Sequence, residues 1–296
     1  MYISVLGAGA GGGLPQWNCG CRNCTDARNG SLPSMTQSSV AVSVDKTSWV
    51  VLNASPDIRQ QVAQCTHLHP GGVRGSPIAA VVLTNGDIDH LAGLLTLREK
   101  TPFTVLATSE THDVLAQNSV FNVLDADLVA RENIVLDQAF EPVPGLVIEP
   151  FAVPGKVPLF LEGETLDLTA MGEQTIGLRI SDADTVTYYI PGCAEVPDWL
   201  VERLGEADLL LFDGTVWEND EMQQTGTGQK TGARMGHISM SGPEGSLARL
   251  APLEDCKKVY IHINNTNPIL QPDGPERAAA QAQGWSVAQD GLELST

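Results

Sequence analysis

Three groups of side chains in this sequence have the types and spacing to hold a metal. The first is the turn Asn85-Gly-Asp-Ile-Asp-His90, in which Asp87, Asp89 and His90 follow the apolar run Ile78 to Leu83. Two carboxylates and an imidazole released together at a strand end form a metal-binding set. The bland account of the same residues is capping, since Asn or Asp suits the start of the helix that follows.

The second group is Asn18-Cys-Gly-Cys-Arg-Asn-Cys24. Three thiolates as close as Cys19, Cys21 and Cys24 fit a structural zinc site, against the bland account of buried, unligated thiols. The fourth ligand is open among His67, His69, Cys193 and Asn265. Cys65, Cys193 and Cys256 are scattered, so the cysteines make no disulfide framework.

The third group is dispersed. Asp213 ends the apolar run from Ala207, His262 lies within the apolar run from Val259, and His237 follows Gly236 after a Gly-rich stretch. Taken singly, these are a turn aspartate, a core histidine and a solvated loop histidine.

These groups need strands to deliver them. Strands are expected at residues 2–6, 38–44, 49–52, 78–83, 103–107, 146–153, 175–180, 185–190, 207–213, 259–263 and 285–294. Helices are expected at 90–99, 110–117, 196–204, 243–250 and 275–283, with another begun by Ser55 as N-cap and Pro56 at its first position. Residues 219–236 read as a mobile loop over a site. Gly7 to Gly13 contains Gly-x-Gly-x-x-Gly, but Pro15, Trp17 and the cysteines follow where a dinucleotide site needs a helix. The glycines instead suit close backbone approach beneath a site.

Composition narrows the partners. The 296 residues are 42% apolar, enough for a substantial core, and 17 basic against 36 acidic side chains give a formal charge of −19. Such a field repels nucleic acid and anionic membranes. The N-terminal residues lack the pattern of a signal peptide and no run approaches a membrane span, so a cytoplasmic protein without membrane insertion is expected.

The turn at 85–90 resembles the His-x-His-x-Asp-His loop of the metallo-β-lactamase superfamily: Asp89 and His90 match, while Asn85 and Asp87 replace histidines. The resemblance implies an α/β (α+β) fold, a four-layer αββα sandwich, as one domain over residues 1–296. It places Asp213 at the bridging carboxylate, His262 at the last ligand strand and His237 at a proton-transfer loop; the histidine expected after residues 146–153 is missing. One of the two usual metal sites is thus dismantled, and the other survives as Asp89, His90, Asp213 and His262. A mononuclear site with open positions suits iron(II), with zinc also allowed, and disfavours two-metal hydrolysis.

Together with the cysteine cluster, Asn53-Ala-Ser-Pro-Asp57, Phe212-Asp-Gly-Thr215 and Met235-Gly-His-Ile238, the turn is similar to the branch of the superfamily that serves pyrroloquinoline quinone (PQQ) biosynthesis. That resemblance implies oxygenation of the tyrosine ring of a peptide-derived Glu-Tyr unit. Asp89, His90 and His262 would hold iron, Asp213 would be a further ligand or base, and His237 and Asp87 would handle protons. The competing expectations are a carrier of the quinone or its precursor towards the periplasm, and a mononuclear zinc hydrolase. The implied partners are that small substrate or the quinone, and other PQQ biosynthesis proteins.

Overall fold

The computed structural model describes residues 1–163 and 167–295. Fourteen strands among them form two seven-stranded sheets. The first contains β1 (Tyr2–Gly7), β2 (Ser39–Ser43), β3 (Trp49–Leu52), β4 (Ile78–Val82), β5 (Phe103–Ala107), β6 (Val129–Asn133) and β14 (Glu293–Ser295), in the order β14-β1-β2-β3-β4-β5-β6. The second contains β7 (Phe140–Val143), β8 (Leu146–Ala152), β9 (Ile176–Ser181), β10 (Val186–Ile190), β11 (Leu209–Asp213), β12 (Lys257–Ile261) and β13 (Trp285–Val287), in the order β13-β12-β11-β10-β9-β8-β7.

Each sheet has an antiparallel half and a parallel half. Strands β3 to β6 run parallel, as do β10 to β13. Parallel neighbours need crossovers, and helices supply several of them: Ser109–Gln117 joins β5 to β6, Asp198–Arg203 joins β10 to β11, and Pro275–Ala282 joins β12 to β13. Helices on the outer faces of two stacked sheets give the expected αββα sandwich.

Burial on both faces explains the unbroken apolar runs. Along β3, Val50 and Leu52 join the main core while Trp49 and Val51 face a second cluster with Ile58, Leu68 and Leu115. Val82 and Val81 divide the same way in β4, as a period of two requires. The glycine-rich stretch is a site of close approach: a Cβ on Gly7 would stand 2.2 Å from the carbonyl oxygen of Gln37, and one on Gly11 would stand 3.4 Å from Asp89 Oδ2.

Several boundaries differ from the sequence expectation. The helix after Pro56 runs Ile58–Gln64 with Asp57 at its N-cap; Ser55 Oγ instead accepts from Asp57 N at 3.2 Å and donates to Gln61. The helix expected over 90–99 is the short helix Ile88–Leu91 followed by a 3₁₀ turn, Ala92–Leu95. Residues 219–236 contain the helices Glu221–Gln224 and Gly232–Met235, with Glu221 buried and hydrogen-bonded by Thr266. The span 285–294 holds two strands, β13 and β14, that belong to different sheets. Strands β6 and β7 went unread because their sequences, Val-Ala-Arg-Glu-Asn and Phe-Glu-Pro-Val, are too polar for the pattern. Among the described residues no helix is long and apolar enough to cross a membrane.

Candidate metal centre

The candidate residues gather beyond the carboxyl ends of the parallel strands, where open α/β sheets place their ligands. β4 delivers the turn 85–90, β11 ends on Asp213, and β12 ends one residue before His262. Asp213 pairs in register with Ile261, so the last two groups are neighbours across the sheet. His262 is left-handed at φ 58°, a conformation costly for a residue with a Cβ and concentrated at functional sites.

Asp89, His90 and His262 each present a ligand atom, all within 4.8 Å of one another. Asp89 Oδ2 lies 3.0 Å from His262 Nε2 and 3.9 Å from His90 Nε2. The orientation of His90 is fixed from behind. Asp87 N donates to Asn85 Oδ1 at 3.0 Å, which identifies that atom as the carbonyl oxygen, and His90 Nδ1–H donates to the same oxygen at 2.7 Å. Nε2 of this buried ring is therefore the lone-pair nitrogen, and it has no hydrogen-bond partner. Burial pushes the imidazole down to about 4, so it is neutral at pH 7. A buried, partnerless, neutral imidazole nitrogen aimed at a carboxylate is what a metal ion requires.

His262 is organised through Thr215. Thr215 Oγ1 donates to Asp213 Oδ1 at 2.7 Å and lies 2.8 Å from His262 Nδ1, which donates to it and leaves Nε2 towards Asp89. Burial disfavours the charged ring, but the hydrogen bond and charge of Asp89 outweigh it and raise the His262 pKa. Burial likewise pushes the Asp89 carboxyl up, while His90 and His262 together hold it well below the usual carboxylate range.

Asp213 is fully buried and accepts four bonds. Cys193 N and His237 Nδ1 reach Oδ2 at 2.9 and 2.7 Å, and Thr215 N and Oγ1 reach Oδ1 at 3.0 and 2.7 Å. These donors hold His237 over His262, with the rings stacked at 5.2 Å. Asp213, His237 and His262 also satisfy the distances for a metal-binding group. The structure thus brings Asp213 and His237 to the site, with Asp213 serving the His237 ring as acceptor.

Asp87 stands at the N-cap of the helix Ile88–Leu91, yet its side chain makes no cap bond; it accepts from Asn85 Nδ2 at 3.0 Å. Burial, then the charge of Asp89, push its carboxyl up to about 6. Two carboxylates in one turn are thereby separated, Asp89 ionised and Asp87 poised to carry a proton near neutrality.

The cysteine cluster is a second candidate centre. Cys19, Cys21 and Cys24 place their sulfurs within 4.8 Å of one another, and Asn265 Nδ2 lies 3.2, 3.5 and 3.3 Å from the three. A half-turn of that amide puts its carbonyl oxygen, a metal ligand, in the same place. The other candidates for fourth ligand are elsewhere: His67 bonds Glu293, His69 bonds the carbonyl of Ala63, and Cys193 donates to the carbonyl of Glu195.

Comparison with known proteins places the chain in a family. Residues 48–263 match the model of the β-lactamase superfamily domain. Coenzyme PQQ synthesis protein B of Ruegeria pomeroyi is 59% identical over 294 residues, covering 99% of both chains. The chain belongs to the coenzyme PQQ synthesis protein B family. The family member of Rhizobium meliloti is 55% identical over 99% of this chain and 97% of its own. Zn(2+)-bound PqqB from Methylobacterium extorquens, solved at 1.98 Å, superposes with a TM-score of 0.98 at 52% identity over 100% of both chains. A diphosphatase of the PhnP family shares the fold alone, with a TM-score of 0.67 at 23% identity over 100% of this chain and 97% of that one.

Sequence reasoning missed Thr215 as the hub between Asp213, His237 and His262, and Asn53, which binds Thr84 N at 2.9 Å from a left-handed backbone at φ 61°. The Asp-Gly-Thr and Asn-Ala-Ser-Pro motifs were the available signals.

Proposed function

We propose that this chain acts in the synthesis of pyrroloquinoline quinone as a mononuclear metal-dependent oxygenase that hydroxylates the tyrosine ring of a peptide-derived Glu-Tyr unit. The observation carrying this reading is the His90 imidazole, locked by Asn85 so that a buried, partnerless Nε2 converges with Asp89 and His262. The set suits iron(II), which when bound supplies activation of O₂ at its open positions. Names of relatives support the biosynthetic setting.

The protein's own part is to orient and to move protons. Asp89, His90 and His262 would hold the ion. Asp87, with its carboxyl raised to about 6, would accept the phenolic proton, and His237, fixed by Asp213, would exchange protons with the cleft. Each hydroxylation inserts one atom of O₂ into a ring C–H bond and releases the other as water, with two electrons and two protons drawn from an added reductant such as ascorbate.

The Cys19–Cys21–Cys24 cluster with Asn265 would hold a structural zinc, a reading supported by the sulfur geometry and by the zinc-bound relative. All ligands come from one sandwich, which supports treating residues 1–296 as a single domain. Zinc in the Asp-His-His set is the second reading, favoured by the same relative; it makes the site a mononuclear hydrolase. Loading the protein anaerobically with iron(II) or zinc and supplying Glu-Tyr under air distinguishes them, since hydroxylation adds oxygen mass and hydrolysis cleaves the peptide.

A further inference from the structure

The cations beside the metal centre are not neutralised one for one. Lys156 Nζ lies 3.0 Å from Glu162 Oε1, and Arg234 grips the same carboxylate through Nη1 at 3.0 Å and Nη2 at 2.6 Å. Two cations share one anion, so the trio carries a net positive charge within a chain whose formal charge is −19. Lys156 also donates to the carbonyl of Val157 at 3.2 Å, which leaves one of its three N–H groups without a protein acceptor among the described residues.

The segment that carries Lys156 and Glu162 borders the site. Gly236 closes the helix Gly232–Met235 at φ 86°, and a Cβ there would stand 3.1 Å from Lys156 Cγ, so the lysine stem lies against the residue preceding His237. Pro158 packs on Gly86 with the same 3.1 Å clearance, next to Asp87. The segment from Gly155 to Glu162 therefore bridges the His237 loop and the Asp87 turn. Beside the cations it exposes Leu159 and Phe160, apolar surface on which an aromatic ring can lie.

We propose that Lys156 and Arg234 form a carboxylate-binding subsite beside the metal centre, and that a carboxylate of an amino-acid-like or peptide-like aromatic substrate replaces Glu162 on Lys156. This rests on the reading of the centre as one acting on a peptide-derived tyrosine. An acidic peptide approaching this chain meets a net repulsive field, and a local cation pair with a displaceable partner gives both attraction and discrimination. Uncharged phenols gain nothing from it.

Calorimetric titration of the zinc-loaded protein, which binds without oxidative turnover, tests the subsite with two probes: Glu-Tyr and its carboxyl-free counterpart, Gln-Tyr amide. Wild type is expected to bind Glu-Tyr about tenfold or more tighter than the amide, one charge-assisted bond's worth of discrimination. Lys156→Met should abolish that ratio while leaving the amide within about twofold, and Lys156→Arg should retain it. Glu162→Gln, by releasing both cations, should tighten Glu-Tyr alone by about fivefold, which a merely structural ion pair does not do. Equal affinity of wild type for the two peptides, no binding of either, or a ratio indifferent to both Lys156→Met and Glu162→Gln overturns the proposal. The predicted pattern together with no oxygen incorporation in iron-loaded protein keeps the subsite and removes the oxygenase reading.

Discussion

Asn85 accepts the Nδ1 proton of His90 at 2.7 Å, so the residue standing where its superfamily carries a histidine orients the neighbouring imidazole. The asparagine thus supports a neighbouring candidate ligand. Asn85→Ala should therefore weaken metal binding at the Asp89-His90-His262 set by about 10- to 100-fold, the usual cost of removing a partner behind a ligating histidine. Metal titration followed by calorimetry measures this. An unchanged affinity would show that His90 needs no such support.

His237 stacks on His262 at 5.2 Å and bonds Asp213 at 2.7 Å, which places it beside the Asp89-His90-His262 set without making it part of that set. His237→Ala is expected to keep iron affinity within about threefold and to lower turnover by about 100-fold or more, the contribution of a general acid or base. Single-turnover rates with measured iron content separate the two effects. Loss of the ion along with the activity would make His237 a ligand.

Asn265 faces the three cysteines only three positions after His262, on the same turn beyond β12. Zinc at the cysteines should therefore hold that turn in place. Cys24→Ala is expected to remove one equivalent of zinc and to weaken metal binding at the neighbouring set, whereas an Asp89→Ala, His90→Ala double variant keeps the cysteine-bound zinc. Metal content per chain decides it, and zinc lost from the double variant would show that the cluster is not an independent centre.

Glu221, which belongs to neither ligand set, supplies a pH prediction. It is buried, accepting from Trp217 N at 2.6 Å and Thr266 Oγ1 at 2.5 Å, and burial pushes its carboxyl from 4.5 up to about 7. The folded state thus holds this proton more tightly than the unfolded chain. That contribution is whole below about pH 4.5 and is lost as pH rises through about 7. Glu221→Gln keeps the shape without the charge, so it should match wild type near pH 4.5 and exceed it by on the order of 3 kcal/mol at pH 9. Urea unfolding at the two pH values measures the difference; a gap that does not change with pH refutes the assignment.

The sequence was legible where one residue type had one physical use. Unbroken apolar runs announced strands buried on both faces, and β3, β5 and β8 lie within a residue of their expected bounds. Asp89, His90, Asp213, His237 and His262 converge as the motifs implied, and the cysteines do likewise. What stayed hidden depends on partners far along the chain. Nothing near Asn265 marks it over His67 as the residue facing the cysteines, because 241 positions separate it from Cys24. The buried carboxyl of Glu221 made residues 219–236 look like an open loop, since glutamate and glycine read as solvated until Thr266 is brought against them. Thr215 is the plainest case: its hydroxyl joins two histidines and an aspartate, and although the Asp-Gly-Thr motif marks the turn, a threonine there does not say which side chains it links.

The most direct test of the central claim is oxygen incorporation from ¹⁸O₂ into Glu-Tyr, read by mass spectrometry after anaerobic iron(II) loading and addition of ascorbate. Wild type is predicted to add labelled oxygen to the tyrosine ring, and the Asp89→Ala, His90→Ala variant to add none. An iron-loaded wild type that binds the dipeptide and returns it unchanged, or a double variant that labels it equally well, would contradict the account.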